Sequence, residues 1–146
     1  MGKLMLQICI LVVVINTIMG IILTFDRSLE ESMEVNTSFI HNTTFTLTLS
    51  ILALIVSLSS LVAPYGVASG KEIPFSMLPV LGDLFASIAT ALGCLSFLAR
   101  YIKTNHPSFY AENSFFEMVE ANERFIGVTC LTMAILHFLF PQILFV

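Results

Sequence analysis

Four apolar segments, each 22 or 23 residues long, limit what this chain can fold into: 4–25, 45–67, 77–99 and 125–146. About 20 apolar residues in helical form cross the hydrocarbon core of a bilayer. Within that core only helices and closed barrels satisfy every backbone polar group. Charged residues make up 11% of the chain and hydrophobic ones 57%, whereas a soluble domain carries about 25% charge. The sequence therefore predicts an all-α integral membrane protein: one domain over residues 1–146, folded as a four-helix transmembrane (tetraspan) bundle. Lys3 followed by an apolar run resembles a signal peptide. The run exceeds the usual 7–15-residue apolar core, so it reads as a retained helix.

The connections are 26–44, 68–76 and 100–124. Gly70 and Pro74 punctuate the middle one, which reads as a tight turn. Connection 26–44 is acidic and holds two glycosylation acceptor patterns, at Asn36 and Asn42. An even number of spans puts both termini on one side. Total Lys and Arg favour long loops inside, but the flanks of the first span and the two acceptor patterns favour the opposite. The expectation is both termini and turn 68–76 cytoplasmic, with loops 26–44 and 100–124 exoplasmic.

Net charge is −4, which argues against nucleic acid. Cys9, Cys94 and Cys130 all lie inside apolar runs, so they read as small packing residues. No metal-ligand spacing and no hydrolase, P-loop or dinucleotide fingerprint appears. Neither an enzyme nor a cofactor or metal is expected.

The informative residues are polar ones inside the spans. Asp83, Ser87, Thr90 and Cys94 recur at helical spacing and share one face. Gly82, Ala86, Ala89 and Gly93 add small residues that allow close helix approach. At about 1.5 Å per residue, Asp83 lies roughly 7 Å from the middle of its span and His137 roughly 2 Å from the middle of the fourth. Asn16, Ser57 and Ser60 fall near the middle of theirs. Asp83, His137, Asn16, Ser60, Ser87 and Thr90 thus form a candidate intramembrane polar cluster. Three readings stand: a clamp fixing helix register, a carboxylate facing a partner subunit, and a proton or ion path through Asp83 and His137. Pro141 removes a backbone bond to the His137 carbonyl and predicts a kink.

In connection 100–124, Arg100, Tyr101 and Lys103 read as an interfacial anchor. Ser114-Phe-Phe-Glu117 fits a capping box, predicting a helix from about Phe115 that runs directly into the fourth span. Phe115, Phe116 and Val119 are its apolar stripe, a candidate partner-docking face, and Glu120 with Arg124 is an i,i+4 pair.

The layout is similar to that of tetraspan families such as the MARVEL and claudin-like proteins, without the claudin Trp or loop cysteines. Gly82-Asp-Leu-Phe through Pro107-Ser-Phe-Tyr110 looks like the third span and following loop of four-span haem permeases, including a loop histidine, His106. That covers under a third of the chain. The family's haem-ligand histidine is missing from the second span, as is its aromatic-Arg tail.

The leading expectation is a small membrane protein acting as an accessory, scaffold or assembly subunit, with the lipid bilayer and a membrane protein or a second copy as partners. The alternative is a small transporter or proton-coupled carrier using Asp83 and His137.

Overall fold

A computed structural model describes the backbone of residues 2–32, 40, 42–62 and 78–139, and side chains over 7–26, 40, 42–61 and 84–139. Every regular element among them is helical: α1 (Gly2–Ser32), α2 (Thr43–Val62), α3 (Leu78–Asn105), α4 (Pro107–Glu112), α5 (Ser114–Ala121) and α6 (Glu123–Leu139). Three stretches are long and apolar enough to cross a membrane: Gln7–Asp26, Thr43–Leu61 and Leu84–Asn105. The fourth expected span is described as α6, 17 residues to Leu139. Its remainder at 140–146, with Pro141, lies outside the described residues, as do the turn 68–76 and Asn36.

The helix starts have local causes. Asn42 Oδ1 accepts the Thr44 N–H at 2.9 Å, so the asparagine of the second acceptor pattern caps α2. Pro107 opens α4, where a missing N–H does least harm. Asn113 Oδ1 accepts the Phe115 N–H at 3.2 Å. The α5 cap is thus Asn113, one residue before the predicted Ser114.

Connection 100–124 is more helical than the sequence reading allowed. Helix α3 continues past residue 99 to Asn105, and α4 and α5 follow. Helix α5 does not run straight into α6, because Asn122 interrupts at φ −105° and ψ 9°.

Helix α1 packs along α6 and α2 along α3, while α3 also touches α1 and α6. The core between them is built from Val12, Ile15 and Met19 of α1, Ala53 and Val56 of α2, Ala89 and Phe97 of α3, and Cys130 of α6. Outer faces are apolar too: Ile51, Leu54, Ile55 and Leu58 on α2, Phe125 and Phe138 on α6. A contiguous exposed apolar surface of this kind suits lipid and not water.

Glycines set the closest approach. A Cβ on Gly20 would lie 2.6 Å from Leu131 Cγ and 2.9 Å from the Gly127 carbonyl oxygen. A Cβ on Gly127 would lie 2.8 Å from both Leu23 Cβ and the Thr24 nitrogen. Helices α1 and α6 therefore touch backbone to backbone, the geometry small residues permit in lipid.

Candidate functional site

Two polar seams flank α3. Toward α1, Asn16 Nδ2 donates to Thr90 Oγ1 at 2.9 Å and to the Ala86 carbonyl at 3.4 Å. Thr90 Oγ1 itself donates to the Ala86 carbonyl at 2.8 Å. Both side chains are fully buried, and Asn16 Oδ1 has no hydrogen-bond partner among the described residues. Toward α2, Ser57 Oγ donates to the Ser87 carbonyl at 3.0 Å, and the Ser60 and Ser87 hydroxyls bond each other. Two turns along, Ser50 and Cys94 bond reciprocally: Ser50 Oγ to the Cys94 carbonyl and Cys94 Sγ to the Ser50 carbonyl, each at 3.2 Å. Cys130 Sγ on α6 donates to the Ala89 carbonyl at 3.3 Å. Each seam therefore ties a side chain on one helix to its neighbour's backbone or hydroxyl.

The expected cluster is drawn together in pairs. Asn16 joins Thr90, and Ser60 joins Ser87, on adjacent flanks of α3. His137 is buried on α6 and is engaged there. Asp83 lies on α3 one turn before Ser87, and its side chain lies outside the described residues. All three cysteines are buried and form no disulfide. Among the described residues no three His, Cys, Asp or Glu side chains converge as a metal would need.

The predicted docking stripe divides. Phe116 and Val119 are buried inside the chain, and only Phe115 leaves its ring exposed. They fail as a docking face because α5 folds onto the end of α3 and onto α4, where Phe116 meets the rings of Phe109 at 6.0 Å and Tyr110 at 6.3 Å.

A second polar assembly, absent from the sequence reading, closes one end of the helices. Arg100 Nη1 binds Asp26 Oδ2 at 2.7 Å, and its Nε and Nη2 bind Glu123 Oε1 and Oε2 at 2.8 Å each. One guanidinium thus joins α1, α3 and α6, with a two-pronged grip on Glu123 that suits its planar fork. It also lies 5.7 Å from the centre of the buried Phe97 ring. Glu123 stands in the first turn of α6, where its charge also favours the helix dipole. Beyond it, Lys103 Nζ binds Glu120 at 2.5 Å and the Tyr110 hydroxyl donates to the same carboxylate.

These contacts set the ionisation outside the spans. Burial pushes Tyr110 up, the bonded Glu120 carboxylate adds to this, and the phenol reaches about 12. Burial alone would raise Glu120, but hydrogen bonds from Lys103 and Tyr110, then the Lys103 and Arg100 charges, hold it below its ordinary value. Glu120 therefore serves Lys103 and Tyr110 in place of the predicted Arg124 pairing.

A signal for the Arg100 assembly was present in the sequence. Asp26, Arg100 and Glu123 each lie within two residues of a predicted span end on the same side, so they share a level in any antiparallel arrangement.

A family model describing a domain of unknown function matches residues 5–137. An uncharacterized protein of Treponema pallidum (strain Nichols) is 34% identical over 142 residues, covering 97% of this chain and 99% of the relative. No solved structure matches. With the match running from the first helix to within two residues of the described end of α6, the chain belongs to that family.

Proposed function

We propose that the chain is a four-span membrane protein, both termini cytoplasmic, acting without catalysis as an accessory or assembly subunit of a membrane complex. The carrying observation is an interior that binds itself. Ser50, Ser57, Ser60, Ser87, Thr90, Cys94 and Cys130 all bond within the helix set. Interhelical bonds of this kind fix register more than they add strength, averaging about 0.6 kcal/mol each. What the chain then offers to others is its outer helix surface, above all the Ile51–Leu61 side of α2. Purification in mild detergent tests this. A membrane-protein partner at fixed stoichiometry is the expected result, and a monodisperse lone monomer overturns it.

One observation favours a carrier instead. The fully buried Asn16 Oδ1 is left unbonded among the described residues, beside a helix that also bears Asp83. Under that reading purified protein in liposomes moves protons or a small solute, and Asp83→Asn abolishes the flux. Flux that survives the substitution removes Asp83 from any path.

A further inference from the structure

Helices α4 and α5 lie beyond the Arg100 level yet keep large apolar side chains uncovered: Phe109, Phe115 and Met118, the last 56% exposed. We propose that this flank is a lipid-docking surface, set in the phospholipid headgroup layer as a cap on the exoplasmic end of the helices.

Continuity is the first reason. Phe115, Met118, Asn122, Phe125, Val128, Thr132 and Ile135 follow at spacings of three and four, so one exposed stripe runs from α5 down the outer face of α6. The interruption at Asn122 does not divide it, since the Asn122 carbonyl accepts the Ile126 N–H at 3.0 Å and its N–H reaches the Val119 carbonyl at 3.2 Å.

The second reason is how polar groups on the stripe are treated. Asn122 Nδ2 donates to the Met118 carbonyl at 2.7 Å and Thr132 Oγ1 to the Val128 carbonyl at 2.8 Å. Each is folded back four residues onto its own helix, which satisfies its donor without water and lets the stripe face an apolar medium. Ser59 does the same on the outer face of α2.

The third reason is height. Met118 lies five residues before Glu123 and Phe115 eight, about 7.5 and 12 Å along a helix. The Lys103–Glu120 bond fixes the scale independently, because each partner lies three residues beyond its member of the Arg100 pair. A bilayer of 40–45 Å around a 30 Å core leaves about 5–8 Å of headgroup layer on each side. With the Arg100 assembly at the hydrocarbon boundary, Met118 falls at the outer edge of that layer and the Phe115 backbone about 4 Å past it. The opposite flank of α5 carries Glu117 and Glu120, so the helix presents its apolar and acidic sides to different surroundings, as interfacial helices do.

The inference rests on the four-span reading, and one experiment separates the two. The chain has no Trp, so F115W, M118W and I135W each give a single-tryptophan protein whose indole can be excited apart from the tyrosines. In nanodiscs, lipids brominated near the carbonyl end should quench M118W by about half and F115W less, and lipids brominated near the chain terminus should quench I135W, matching their depths. Aqueous iodide should leave I135W unchanged and quench M118W less than F115W. If I135W is quenched by lipid while F115W and M118W respond only to iodide, the cap stands in water and the proposal falls. If those two respond to neither quencher, protein covers them and it falls equally. If I135W itself escapes the lipid bromines, the four-span reading falls with it.

Discussion

The middle of the helices and their Arg100 end both use polar groups to hold helices together, by different physics. In the middle these bonds are neutral and each local to one pair of helices: Asn16 to Thr90, Ser57 and Ser60 to Ser87, Ser50 to Cys94. At the end one charged group spans three helices at once, Arg100 between Asp26 and Glu123. A neutral group removed from lipid surroundings leaves little behind, because the separated helix also finds partners. A charge removed leaves its counter-charges behind, and those are expensive to bury alone. The middle therefore specifies register, and the end supplies the more fragile lock.

Arg100→Leu tests the lock with the largest expected effect. It would strip the shared guanidinium from both carboxylates, the Asp26 side chain being only 9% accessible. Breaking a fully buried pair costs about 3–5 kcal/mol, and the partial exposure of this one reduces that to about 2–3. Arg100→Lys should recover only part, because a single ammonium cannot reproduce three forked bonds. Unfolding in mixed detergent, followed by circular dichroism, measures both. A loss no larger than that of a mid-helix substitution would erase the distinction between the two regions.

Gly127→Ala comes next, and it probes contact without polarity. The new Cβ would meet Leu23 Cβ and the Thr24 nitrogen at 2.8 Å, and backbone cannot step aside as a side-chain tip can. Overpacking of this kind costs about 1–3 kcal/mol. Helices α1 and α6 should separate, seen as a slower-migrating, more readily proteolysed species in mild detergent. An unchanged protein would mean that the two helices do not meet at this glycine.

Asn16→Leu should be milder than either. It removes one interhelical donor, worth about 0.6 kcal/mol on average, but also removes the unbonded Asn16 Oδ1. Thr90 keeps its bond to the Ala86 carbonyl. The expected change in the same unfolding measurement is under about 1 kcal/mol in either direction. A loss as large as that of Arg100→Leu would make the middle, not the end, the lock.

How much of this was readable from the chain follows the same division. The three apolar helices long enough to cross a membrane were legible because runs of 22 or 23 apolar residues admit few alternatives. Ser87, Thr90 and Cys94 were legible as one buried face because helical spacing is rigid. Spacing did not say which neighbour each would bond, and Ser87 and Cys94 turn to α2 while Thr90 turns to α1. Charged residues at span ends were harder, since an anchor in the headgroups and a bridge between helices look alike in sequence. Arg100 proved to be the bridge. The stripe of α5 misled because an apolar face can be buried by its own chain, and Phe116 and Val119 are. Gly20 and Gly127 carried no signal alone, because a close approach belongs to two segments 107 residues apart.

The smallest effect concerns the outer rim of the charged end, at Tyr110 and Glu120. Tyr110 titrates at about 12 in the folded chain, against about 10 for a free phenol. A raised folded-state value means the native protein keeps a proton that the unfolded chain releases. The contribution is complete below about pH 10 and is lost as pH climbs toward 12. Glu120 has the opposite sign: its lowered value favours the fold above the ordinary carboxylate range and fades as pH falls through it. Both groups are partly solvated, so the stability change is minor, but the phenol is directly visible. Ultraviolet titration should show a step near pH 12 that Tyr110→Phe removes. Glu120→Gln should bring that step back toward 10, because it removes the negative acceptor while leaving the ring in place. If Glu120→Gln leaves the late step where it was, burial alone raises Tyr110. The carboxylate then belongs to Lys103, and the rim is a simple surface ion pair, with none of the shared bonding that distinguishes the Arg100 assembly below it.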